Sequence, residues 1–225
     1  MDTNSQTTET KKAPKSTYKT LEQQVSDMEM AFSNAGMDGI KEVMLTVGYT
    51  PERIELMQAG VTKVRTLMQA KVKEDADQKA EQEVFDKKKE AISTPFVNHR
   101  KLVRIQFSAD VHTSVSLQLN GEIPQAYPAW KEMTTNFYTQ ISNQPALLAK
   151  TSTIGITAAV ATAQLAALTD LEATKSNLKK ETAEAQAATQ ARDEAFDDIH
   201  PQYIEYIKFA KVLLADSPLL KALGV

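Results

Sequence analysis

The chain has 225 residues, 42% of them apolar and 24% charged, with a net charge of −3 and no cysteine. That length suits one large domain or two of about 100 residues, with apolar area enough for a packed core. It excludes disulfides, thiolate nucleophiles and zinc–thiolate sites, and leaves no global field to draw the protein onto nucleic acid or an anionic membrane. Only 6% of residues are aromatic and only 7 are Gly, while Ala, Leu, Lys, Glu and Gln are plentiful, which is the composition of helix.

Residues 1–19 read as a flexible tail in which Lys11, Lys12, Lys15 and Lys19 outweigh Asp2 and Glu9, without the apolar core of a secretory leader. Order is expected from Thr20. Thr20 and Gln23 have the spacing of a capping box, and Leu21, Val25, Met28 and Phe32 then mark one helix face. Gly36 ends that helix, and Asp38 is placed to cap a short one over 39–46. Gly48 breaks the chain again, Thr50 is a good N-cap, and Pro51 sits where its missing N–H costs nothing.

A helical pattern then runs to about Ile92, on the order of 60 Å at 1.5 Å per residue. Ile54, Met57, Val61, Val64 and Met68 step by 3 and 4, the spacing of a coiled-coil seam. The stretch 73–83 offers a neighbour only Ala76 and Ala80, so that helix face is thin. Thr94-Pro95 is expected to stop the helix. Beyond it the signal divides. Val103, Ile105 and Phe107 alternate, as do Val111, Thr113, Val115, Leu117 and Leu119, and read alone 101–119 suits a β-hairpin.

The second half of the chain bears on that choice. After Asn120-Gly121, Pro124 and Pro128 comes a face of Trp130, Met133, Phe137 and Ile141, then a short helix over 145–150. Ile154-Gly155-Ile156-Thr157 matches Val47-Gly48-Tyr49-Thr50, and each opens a long helix. The second runs over 158–199 to His200-Pro201, as the first runs to Thr94-Pro95. Phe196-Asp197 answers Phe85-Asp86, Leu213-Leu214-Ala215-Asp216 answers Phe107-Ser108-Ala109-Asp110, and Leu223 answers Leu117. These matches indicate an internal duplication with one insertion of about a helical turn. Tyr203, Ile204, Ile207, Ala210, Val212 and Leu214 form a wide helical face, so the equivalent 96–108 is expected to be helix as well.

The expected fold is therefore all-α: an elongated helical bundle of two tandem copies, each with one long helix (about 50–92 and 157–199). Its divisions are a tail at 1–19, repeat 1 at 20–121 and repeat 2 at 122–225, the repeats packed as one pseudo-symmetric unit. Alanines along the second long helix (Ala163, Ala167, Ala173, Ala185, Ala188 and Ala195 among them) permit close approach of a partner helix, by default the first long helix of the same chain. The longest apolar stretch, 154–168, is interrupted by Thr157, Thr162 and Gln164 and is too short to span a membrane.

Chemistry is sparse. His99, His112 and His200 include no Glu-x-x-His pair, and Asp197 with His200 reads as a helix end rather than a metal site. Glu181 with Glu184, and Glu74 with Asp77, read as solvated helix surface. His99-Arg100-Lys101 with Arg104, near Phe96 and Phe107, is the densest basic cluster, short for a nucleic-acid site in an acidic protein. No glycine-rich phosphate loop or nucleophile elbow is present. No catalytic residue, cofactor, metal or nucleic acid is expected, and the chain is expected to lie in the cytoplasm.

The segments His99-Arg100-Lys101-Leu102-Val103-Arg104-Ile105, the run from Gln186 to Asp197, and the closing Ala222-Leu223-Gly224-Val225 resemble those of internally duplicated, all-helical proteins from Bacteroidota bacteria. The likeness covers about residues 20–225. That family has no assigned activity, so the resemblance implies the architecture and a bacterial cytoplasmic setting alone. With two long helices and no recognisable site, the leading expectation is a structural or scaffolding homo-oligomer. A module that binds a partner helix or apolar ligand is the alternative.

Overall fold

The computed structural model describes residues 19–215 and 217–225; residues 1–18 of the expected tail, and Asp216, lie outside them. Every described element is an α-helix: α1 (Leu21–Asn34), α2 (Ile40–Leu45), α3 (Pro51–Gln106), α4 (Val111–Ser116), α5 (Tyr127–Asn143), α6 (Pro145–Ser152), α7 (Ala158–Leu213) and α8 (Leu219–Ala222). No strand occurs among the described residues. The order of medium, short, long and short helix occurs twice, and the two long helices have 56 residues each.

Local chemistry accounts for the start of each long helix. Gly48 and Gly155 both adopt φ +86°, the left-handed region glycine enters without a Cβ clash. The next N–H then reaches back over the preceding helix end, from Tyr49 to the Met44 carbonyl and from Ile156 to the Thr151 carbonyl. Thr50 and Thr157 follow as N-caps, their hydroxyls accepting the N–H of Arg53 and Val160 at 3.3 Å. At α1 the capping box of Thr20 and Gln23 is present. At α2 the cap is Gly39 at φ +84° rather than Asp38, and the Glu42 carboxylate accepts the Gly39 N–H at 2.5 Å.

The long helices begin where the sequence places them but do not end at the prolines. Both continue for several turns, with Pro95 and Pro201 inside them. An interior proline forfeits one backbone hydrogen bond and costs about 3 kcal/mol. Across Pro95, however, the buried face continues as Ile92, Phe96, Val103 and Phe107, and across Pro201 as Ile199, Tyr203, Tyr206 and Ala210. Each large side chain buried there contributes about 1.5–3 kcal/mol, which offsets the proline. The same spacing removes the hairpin alternative. Val103 and Phe107 are buried while Ile105 is 73% exposed, a period of four residues and not two.

The described residues form two compact units: 19–70 with 190–225, and Lys71–Thr189. These cut the chain differently from the two sequence halves, because each unit combines the opening helices of one half with the closing end of the other half's long helix. In the first unit, α1, α2, α8 and parts of α3 and α7 enclose Val25, Met28, Phe32, Met57, Val61, Val64, Ile199 and Tyr206. Here α3 approaches α7 closely: a Cβ on Gly60 would stand 3.0 Å from Ile199 Cδ1. Arg65 ties α3 to α1 by donating from Nε and Nη2 to the Glu29 carboxylate at 2.9 and 2.7 Å. That pairing holds the Glu29 carboxyl below its usual range.

In the second unit, Phe96, Val103, Phe137, Tyr138, Ile141, Ile156 and Ala161 form one cluster, and Phe85, Ile92, Trp130, Leu168 and Leu171 a second. The thin stretch of α3 lies in this unit, antiparallel to α7. Ala76 and Ala80 are exposed there, and Gln78 instead reaches the Thr182 hydroxyl at 3.4 Å. The Lys88 ammonium donates to the Thr174 hydroxyl at 2.8 Å, with Asp170 2.8 Å away. Of the alanines singled out on α7, Ala185 and Ala195 are buried while Ala163 and Ala173 are exposed, and Thr174 is buried beside Lys88.

A single shift of 107 residues relates many positions of like burial. Ile40 and Leu147, Tyr49 and Ile156, Val64 and Leu171, Ile92 and Ile199, Phe96 and Tyr203, Val103 and Ala210, and Phe107 and Leu214 are all buried.

Candidate functional site

The residues singled out for possible chemistry are held apart or used in packing. The α3 segment around Pro95 turns His99 and Arg100 inward. The Arg100 guanidinium, 5% exposed, donates to the carbonyls of Gln118 and Gly121 at 2.7 and 3.1 Å, and Arg104 donates to the Leu119 carbonyl. The basic cluster thus caps the backbone of the turn between α4 and α5, where Gln118 adopts φ +52°. Phe96 and Phe107, which would have to stack on bases, are buried.

His99 Nδ1 lies 2.9 Å from the Tyr138 hydroxyl. Burial pushes the Tyr138 phenol well up and the His99 imidazolium down, so both partners are neutral and the His99 tautomer sets which of them donates. His200 stacks on Phe196 with ring centroids 4.8 Å apart, His112 is exposed, and Asp197 is exposed.

One acidic grouping was not anticipated. Glu74 of α3 meets Glu181 and Glu184 of α7, their carboxylates close enough to share a cation. Sequence spacing pairs only the last two; the antiparallel register of the helices supplies the first. Lys73 stands 3.2 Å from Glu74, and Lys180 3.7 and 3.3 Å from Glu181 and Glu184. With a lysine beside each carboxylate, the grouping is an ion-pair lattice on a helix pair.

The second unit also has a cleft of 650 Å³ between α5 and α7. Within it the Tyr127 hydroxyl donates to Glu172, Lys131 stands 3.0 Å from the same carboxylate, and the Lys175 ammonium sits 3.7 Å from the Tyr127 ring centroid. Hydrogen bonds from Tyr127 and Lys131 hold the Glu172 carboxyl below its usual range, and burial raises the Tyr127 phenol. Glu172 is thereby held as a carboxylate and Tyr127 as a phenol that donates to it.

The first unit has a smaller hollow of 230 Å³, lined by Met44, Tyr49, Ile54 and Glu55 among others. In each unit, exposed large apolar residues recur at the shift of 107. Leu102 and Phe209 are 42% and 38% exposed, Ile105 and Val212 73% and 76%. No described helix is long and apolar enough to cross a membrane. The chain matches no protein-family model, curated protein or solved structure.

Proposed function

We propose that the chain is a non-enzymatic structural or scaffolding protein of the cytoplasm, duplicated internally, that self-associates through its helical faces. The matched burial at a shift of 107 and the twin glycine–threonine junctions support the duplication. The observation that carries self-association is the recurrence of exposed apolar pairs, Leu102 with Ile105 and Phe209 with Val212, at equivalent places on the two long helices. Scattered exposed apolar residues are ordinary, and Phe209 also meets the Tyr49 ring 6.0 Å away. Ile105 and Val212, 73% and 76% exposed, nevertheless recur at one place in both halves, which a contact made there accounts for.

Light scattering across concentration tests this reading. A dimer or larger assembly is expected at micromolar protein, and electron microscopy then shows its form. A monomer at high concentration removes self-association and leaves capture of a partner helix or apolar ligand as the function to pursue.

A further inference from the structure

The 230 Å³ hollow of the first unit lies where the end of α1, α2 and the start of α3 meet. Met44, Tyr49 and Ile54 supply apolar lining, the first two buried and the third half-buried. Lys41, Glu55 and Gln58 supply polar lining. Lys41 and Glu55 are exposed, and among the described residues neither is ion-paired, with the other or with any third group. Gln58 Nε2 donates to the Phe32 carbonyl at 2.8 Å, which leaves its amide oxygen available as an acceptor. The fold itself does not ask for these polar groups. At the shift of 107, Leu148, Thr162 and Leu165 stand in their places, and Leu148 and Leu165 pack against the apolar cluster of the second unit.

We propose that this hollow binds a free apolar α-amino acid. The ligand carboxylate meets Lys41, its ammonium meets Glu55 and the Gln58 amide oxygen, and its side chain lies against Met44 and Ile54. Size and charge together select this class. Sites for larger organic ligands run from about 300 to 1,000 Å³. At 230 Å³ the hollow suits a ligand of amino-acid size and is too small for a partner helix. One cation and one anion around the same apolar space match a zwitterion. A fatty acid would meet Glu55 as a like charge, and an apolar amine would meet Lys41 as one. The site goes beyond self-association and does not depend on it.

Calorimetric titration of the full chain with L-leucine, L-methionine and L-phenylalanine tests the site. At least one of them is expected to bind, with one ligand per chain. N-acetylation of that amino acid removes its positive charge and amidation its negative charge, and each should weaken binding about tenfold or more. Glu55→Gln should weaken the free amino acid by a similar factor yet leave the N-acetyl derivative unaffected. Lys41→Gln should weaken the free amino acid likewise and leave the amide unaffected. Both positions are exposed, and circular dichroism of each variant confirms an intact fold. Binding of none of the three amino acids overturns the proposal, as do derivatives that bind as tightly as the free amino acid. Binding that both charge variants leave unchanged places the ligand elsewhere on the chain and overturns it too.

Discussion

The two compact units use equivalent helices to different ends. In the first, Phe32, Tyr49, Tyr203 and Tyr206 meet edge to face at the centre of one continuous core. The second divides its apolar side chains between two clusters, and beyond them the two long helices meet through a polar seam of Gln78 with Thr182 and Lys88 with Thr174. Hydrogen bonds there contribute about 1 kcal/mol each, against about 1.5–3 kcal/mol for a buried aliphatic side chain. Register and helix length can thus be kept while stability is concentrated in one part of a helix pair.

The largest expected effect is in the apolar seam. Val61 is 2% exposed, and Val61→Asp should cost about 4 kcal/mol or more by burying an unpaired carboxylate, read as a lower melting temperature. A variant that melts like the parent would show that the seam faces elsewhere. Next is Arg100→Leu, expected to cost about 2 kcal/mol because it removes two charge-assisted bonds to the turn at 118–121. Chemical denaturation measures it.

A finer contrast lies at one pair of equivalent positions, His99 and Tyr206. In the second unit the Tyr138 hydroxyl has His99 as partner, so Tyr138→Phe should cost about 1 kcal/mol. In the first, the buried Tyr206 hydroxyl has no hydrogen-bond partner, and burial pushes its pKa up to about 12. Tyr206→Phe should leave stability unchanged or raise it by about 1 kcal/mol. Equal losses from both substitutions would erase the contrast.

His99 also predicts a pH dependence. Burial holds its folded pKa below the usual histidine value of about 6.5, so the unfolded chain takes up the proton first. Its contribution to stability is present above pH 6.5 and is lost as pH falls from there toward the folded value. His99→Gln should remove that part of the slope when parent and variant are unfolded in parallel across pH. The smallest effect is expected at exposed Lys87, where Lys87→Ala should stay within about 0.5 kcal/mol.

Legibility followed the range of the interaction. The glycine–threonine junctions, the capping box and the Met57–Val61–Val64 face depend on residues within a turn or two of each other, and all were readable in the chain. The basic cluster was visible, but its use was not, because the carbonyls it caps lie 15–21 residues away. Glu74 joins Glu181 and Glu184 only through the packing of two distant helices.

By itself the sequence determined that the chain is helical, where each long helix begins and which of its early residues face inward, because backbone capping and apolar period act locally. Tertiary structure decided that the helices outlast Pro95 and Pro201, since only burial of Phe96, Val103, Tyr203 and Ala210 against other elements exceeds the local cost of proline. It also decided how the chain divides. The compact units group the start of one long helix with the end of the other, because antiparallel helices bring together residues that the chain keeps farthest apart.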